Sequence, residues 1–396
     1  MRAVEAPTAS PARGSPFRIG TGEAAGAVAD LGVLIPLAAA LILVNGLDAG
    51  SVLLCAGLLY LGAGLFFRVP FPVQPLKALT AVAVAEQLAP GVIRAAGIEL
   101  GAILLLLSIR GAAEVVARIF TKPVIRALQL GVGILLSIAA YKLVAKPPAV
   151  FAGVPPSPWP VVLAAATFLG VVFAARTRHF WAALVLLVAG IVATAASVHP
   201  DLGAPGLVLP NLSVPPASAF ATAFWLLVVP QFPLTFGNAV VAVTDLSHDY
   251  FGERARRVTA ARVCLSDGIG NVAAGILGGM PMCHGAGGLT AHVRLGARTA
   301  GMNVLIGSIL ATIGLFFGSQ VPVILGLLPV WALAGFLVYA GIRHAWLIAD
   351  LRGANLVIAA VAGIAGATLG NLAVTAAIAL AAAWSLTLVR RAGATR

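Results

Sequence analysis

Charge is what this chain has least of. Only 10% of its 396 residues are Asp, Glu, Lys or Arg, against roughly 25% in ordinary soluble domains. Acids are the scarcer sign, with 13 Asp and Glu against 25 Lys and Arg and a net charge of +12. With 60% hydrophobic residues and a mean hydropathy of +1.03, an architecture solvated by water is excluded. The three cysteines, Cys55, Cys264 and Cys283, are too few and too scattered for a disulfide framework or a thiolate metal site. Also missing are a His-Glu-x-x-His pair, a Gly-x-Ser-x-Gly elbow and a Walker-type phosphate loop. Neither hydrolysis nor ATP-driven pumping has residues to carry it, so no enzyme activity, metal or cofactor is expected. The basic residues form no stripe interleaved with aromatics, which argues against a nucleic-acid partner.

What the chain does have is long apolar runs cut by short Gly, Pro and Arg punctuation. Candidate membrane spans lie near 24–45, 51–67, 72–89, 92–109, 123–142, 160–175 and 180–197, and then near 219–243, 261–278, 283–297, 300–318, 321–341, 353–368 and 371–389. Several are shorter than the roughly 20 residues of a full crossing. Residues 1–17, rich in Pro, Ala, Ser and Arg without an apolar core, read as a disordered cytoplasmic tail, and 391–396 as a second one. If the amino terminus is cytoplasmic and every segment crosses, 21 Lys and Arg fall inside, three (Arg94, Lys142, Lys146) outside and Lys77 alone within the membrane. That asymmetry is what the positive-inside rule demands, so both termini are placed in the cytoplasm and the +12 reports topology.

The linker 198–218, Pro-rich and free of Lys and Arg, divides the chain into 18–197 and 219–390, each with seven spans. An odd number per half makes the repeats inverted. The expected fold class is therefore an all-α polytopic membrane protein of about fourteen segments, with the lipid bilayer as solvent. A faint echo joins the halves: Pro72-Val73-Gln74-Pro75-Leu76-Lys77 in the third segment and Pro281-Met282-Cys283-His284-Gly285-Ala286-Gly287-Gly288 in the tenth. Both are interrupted by Pro or Gly. A backbone broken inside the membrane needs protein or a cavity to satisfy it, so these two segments predict a midplane site built from half-helices.

Pro75 suits a first helical position, with Gln74 as cap, and the glycines from Gly285 to Gly288 offer bare amides. Two helix amino ends facing one point suit a compact anion rich in acceptor oxygens, such as a tetrahedral dianion. Lys77 either adds charge to that site, pairs with a carboxylate such as Glu86 or Asp30, or reaches toward an interface. Asp30 either carries a coupling proton or ties Lys77 and backbone amides together, and Glu23, two turns earlier, is a second coupling candidate or a solvated residue at the inner interface. Gln231, Thr235 and Asn238 share one helix face, as neutral ligands of the anion or as glue between helices. His284, beside Cys283, contributes to the anion site or packs, and Asp267 supports the broken backbone or caps a neighbour, with a part in transport as the lesser reading.

At these residues the sequence resembles the molybdate transporter family, a branch of the sulfate permease (SulP) superfamily that lacks the cytoplasmic regulatory STAS domain. The resemblance rests on Pro72 to Lys77, on Pro281 to Leu289 followed by Arg294-Leu295-Gly296-Ala297-Arg298, and on Gly26 to Pro36, Arg126 to Gly131 and Gln231 to Asn238. It implies a uracil-permease-like fold with core and gate subdomains. It also implies secondary active transport of an oxyanion, molybdate first and sulfate second, by symport or another secondary mechanism. The implied binding region falls on Gln74, Lys77 and Cys283 to Gly288, with Gln231, Thr235 and Asn238 facing them. Residue 76 is Leu where many relatives carry Met. Superfamily analogy adds a homodimer and, in a bacterium, the inner membrane. A nucleobase or organic-anion carrier of the same fold is the alternative, although it would want acidic side chains at the two broken segments.

Overall fold

The computed structural model describes residues 15–28, 31–109, 112–117, 121–147, 159–176, 189, 191–192, 194–210, 212–327 and 329–394. In chain order the elements are α1 (Thr21–Val28), α2 (Leu31–Leu43), α3 (Ala49–Phe67), β1 (Gln74–Pro75), α4 (Lys77–Ala85), α5 (Pro90–Leu107), α6 (Ala112–Ala117), α7 (Lys122–Ala145) and α8 (Pro160–Arg176). After the linker come α9 (Ala217–Ala255), α10 (Ala260–Leu277), β2 (Met282–Cys283), α11 (Ala286–Arg294), α12 (Gly301–Phe317), α13 (Gln320–Gly326), α14 (Val330–Ala345), α15 (Gly353–Thr368) and α16 (Leu372–Ala394). Five described helices are long and apolar enough to cross a membrane, or six if the bent pair α12 and α13 is one span. The chain is thus a multi-pass membrane protein.

Local chemistry sets the breaks that matter. Asp48 caps α3 by accepting from the Ser51 amide at 2.7 Å, and Thr259 caps α10 by accepting from Arg262 at 3.3 Å. Both helices end on a left-handed residue, Arg68 at φ 60° and Gly278 at φ 79°. From each end the chain runs extended into a two-residue strand. The strands pair antiparallel, Gln74 opposite Cys283 and Pro75 opposite Met282. Each then turns into a helix of nine residues, α4 or α11, which at 1.5 Å per residue spans about 13 Å, less than half of a ~30 Å hydrocarbon core.

Around these half-helices the packing is reciprocal. α12 lies along α3 and α10 along α5, while α14 packs on α7 and α8, and α15 on α7. Small residues permit the close approach. A Cβ on Gly57 would stand 2.4 Å from the Ala311 nitrogen, and one on Gly133 2.5 Å from the Gly341 oxygen.

Several boundaries differ from those expected. The third segment becomes helical only at Lys77, with Leu76 rather than Gln74 as cap, because Gln74 and Pro75 are held in the strand and the Leu76 amide donates to the Pro281 carbonyl at 3.2 Å. The eighth segment, expected to end near 243, continues as one helix of 39 residues. Its π-helical turns at Phe224–Val228 and Thr235–Ala242 flank Pro230 and Pro233, which lack the amide a regular turn would use. The twelfth, expected over 321–341, divides into α13 and α14 with Pro329 as the cap of the latter, and α12 and α13 meet at 102°. The first is made of α1 and α2, and most of 180–197 lies outside the described residues, as do 1–14 and 395–396 of the expected tails. Residues 15–17 are described, and the Pro16 carbonyl accepts from Ala300 at 2.8 Å.

Candidate anion site

Extended backbone inside a membrane leaves polar groups that other parts of the chain must satisfy. Two asparagines do so in matching fashion. Asn303 of α12 accepts from the Phe71 amide at 2.9 Å and donates to the Phe71 carbonyl at 2.7 Å. Asn271 of α10 accepts from Met282 at 2.8 Å and donates to its carbonyl at 2.7 Å. The Tyr60 hydroxyl donates to the Val73 carbonyl at 2.9 Å, and His284 Nδ1 donates to that of Pro72 at 2.7 Å. These groups clamp both strands, so that α4 and α11 start side by side.

The first amides of each half-helix have no partner one turn earlier. Gln231 takes one of them, its Oε1 accepting from Leu79 at 3.0 Å while its Nε2 donates to the Thr235 hydroxyl at 2.9 Å. In α11, Gly288 and Leu289 turn back onto the Gly285 carbonyl at 2.9 and 3.3 Å. The Lys77, Ala78, Ala286 and Gly287 amides remain at the two tips.

Between those tips the side chains converge. Lys77, half-buried, donates from Nζ to the Oε1 of buried Gln74 at 2.7 Å. A Cβ on Gly285 would stand 2.5 Å from Gln74 Oε1 and 3.4 Å from Asn238 Nδ2, so the four residues share one place. Gly287 is exposed, and among the described residues nothing lies within 4 Å of where its Cβ would be. Open space therefore fronts the first turn of α11. The two helix tips, each worth about half a positive charge, and the Lys77 ammonium make this a positive locus with hydrogen-bond donors.

The other candidates take different places. Gln231 and Thr235 are buried and bonded to α4 and to each other. Cys283 is buried in β2, while Ala286 opens α11 and Gly288 is buried within it. His284 is fully buried, its Nε2 2.8 Å from the Ser266 hydroxyl and its ring 4.7 Å from that of Phe71. Glu23, buried, accepts from the Thr299 hydroxyl at 3.2 Å and from the Arg298 amide at 3.3 Å, tying α1 to the 298–299 loop. Asp30 lies outside the described residues. Sequence reasoning missed Asn271, Asn303 and Tyr60 as the clamps. Their signal was available, because a polar side chain inside an apolar run is costly unless it is bonded.

Comparison with known proteins converges on one class. A family model described as a molybdate transporter of the MFS superfamily matches residues 22–136 and 223–343. Molybdate transporter 2 of Arabidopsis thaliana is 32% identical over 377 residues, covering 83% of this chain and 79% of that protein. Among solved structures, the transmembrane domain of the cyanobacterial bicarbonate transporter BicA aligns with a TM-score of 0.62 at 18% identity, over 91% of this chain and 96% of the other. The murine anion transporter Slc26a9, in its inward-facing state, aligns at 0.66 and 12% identity over 94% of this chain and 70% of the other. The fold is therefore the one these two share, whatever superfamily the family description names.

Proposed function

Since the chain belongs to the molybdate transporter family, we propose that it carries molybdate across the membrane with the anion seated between the amino ends of α4 and α11. It is a transporter and not an enzyme. The observation that carries the site is the β1–β2 pairing, which joins the two half-helix tips, Lys77, Gln74, Asn238 and Gly285 in front of open space at Gly287. Four tip amides and one ammonium offer donors to four oxygens and positive charge to a dianion. Gln231, Thr235 and His284 are positioning residues that hold this cradle from behind.

The reciprocal packing supports two inverted repeats of seven segments, 18–197 and 219–390, joined by 198–218, and the bias of Lys and Arg between loops supports cytoplasmic termini. The helices carrying the site form a core, and α7, α8, α14, α15 and α16 form a gate. Transport is then secondary, by alternating access as one body moves against the other. Family membership favours molybdate over sulfate. The test is uptake of molybdate into proteoliposomes holding the purified chain, with tungstate, sulfate and uracil as competitors. Tungstate is expected to compete best and uracil not at all. Competition by sulfate at lower concentration than molybdate would reverse the substrate assignment, and competition by uracil would favour the nucleobase reading.

A further inference from the structure

Asp267 has no task in the site described so far. It and His284 are both fully buried, with Asp267 Oδ1 3.4 Å from His284 Nε2. Among the described residues neither carboxylate oxygen has a hydrogen-bond partner. The hydrogen bonds of the imidazole fix the proton accounting. A carbonyl only accepts, so Nδ1, 2.7 Å from the Pro72 oxygen, carries a hydrogen. With Ser266 donating to Nε2 at 2.8 Å, the ring is neutral and Asp267 would be a bare carboxylate buried away from water, a state at heavy cost. One proton removes that cost. It sits on Asp267, leaving both groups neutral, or on Nε2, forming an ion pair across the 3.4 Å gap with the Ser266 hydroxyl turned away.

This pair is wired to the anion site. His284 immediately precedes Gly285, and its ring holds the carbonyl two residues before Gln74. A dianion between the helix tips favours positive charge at Nε2, and once the proton has moved there the carboxylate can accept a second. We propose that Asp267 and His284, with Ser266, form the proton-binding site of this carrier, loaded as the anion binds; the proposal rests on the transport reading above. On the elements packed against α10, the titratable groups are Cys55 and Tyr60 of α3, Arg94 and Glu99 of α5, Asp245, His248, Asp249, Tyr250, Glu253 and Arg254 towards the end of α9, and Cys283 of β2. Arg262 and Cys264 are on α10 itself, Lys77 is at the anion site, and the Glu114 side chain of α6 lies outside the described residues. Among the described residues none of these forms an ion pair with Asp267 or His284. Tyr60 is bound to Val73, and Arg94 to the Gly275 and Ile276 carbonyls at the far end of α10. The rings of Phe67 and Phe71 cover His284.

The test measures protons directly. Molybdate is added to the purified full-length chain in weakly buffered detergent with a pH indicator, where molybdate stays a dianion. Net proton uptake is expected on binding, and Asp267→Asn should still bind molybdate but take up none. In proteoliposomes an acidic exterior should raise molybdate accumulation by the unmodified chain and not by Asp267→Asn. Binding without proton uptake in the unmodified chain, or equal uptake by Asp267→Asn, overturns the proposal. If Asp267→Asn does not fold, Ser266→Ala replaces it and should shift the pH midpoint of molybdate affinity; an unmoved midpoint counts against the pair. An unmodified chain that neither binds nor exchanges molybdate sinks the transport reading first, and this inference with it.

Discussion

Gly285 has no room for a side chain. Any side chain there meets Gln74 Oε1 at 2.5 Å, and Gln74 is pinned by its strand and by Lys77. Gly285→Ala is therefore expected to weaken molybdate affinity at least tenfold while the chain still folds, as read by equilibrium binding and size-exclusion profile; unchanged affinity would remove Gly285 from the cradle. Lys77→Gln deletes a charge-assisted contact worth about 1.5–3 kcal/mol, which is roughly 10- to 150-fold in affinity. Gln74 and Lys77 were legible in the sequence because an amide and an ammonium inside an apolar run need a reason to be there. The roles of Gln231 and Thr235 were not. An amide looks the same whether it faces a ligand or the first turn of another helix, and the Leu79 amide that fixes Gln231 is 152 positions away.

At the scale of elements, the two half-helices exist because their lead-in strands are satisfied from outside. Asn271→Ala strips partners from the Met282 amide and carbonyl, and Asn303→Ala does the same to Phe71. At about 1–3 kcal/mol per orphaned group, each variant should unfold at a markedly lower temperature in detergent than a control such as Val357→Ala on the exposed face of α15. Equal melting would mean that the strands are held by something else. The breaks after 70 and 280 could be read from proline and glycine, which act locally. The pairing register could not, because Gln74 faces Cys283 through tertiary contacts alone. Likewise the eighth span was expected to run through its prolines and stop near 243. The wide turns beside them let it continue to Ala255.

For the whole molecule, the two-body reading makes the 85–86 turn a meeting point. Lys142 of α7 donates to the Ala85 carbonyl at 2.8 Å, and a Cβ on Gly370, between α15 and α16, would stand 3.2 Å from Glu86 Oε1. Both contacts run from the gate to the end of the core half-helix α4, and every residue from Ala78 to Ala85 is buried. On the proposed topology this is the outer side, and these contacts hold it closed. Admitting the anion from the outer side then requires these contacts to part. Cysteines placed at 142 and 86 and joined by a short thiol-specific cross-linker are expected to abolish molybdate uptake, with recovery when a reducible linker is cleaved. The native Cys55, Cys264 and Cys283 are buried, which keeps the background low. Uptake that continues with the link in place would show that the anion crosses without separation of α4 from α7, and the rocking of core against gate would have to be abandoned.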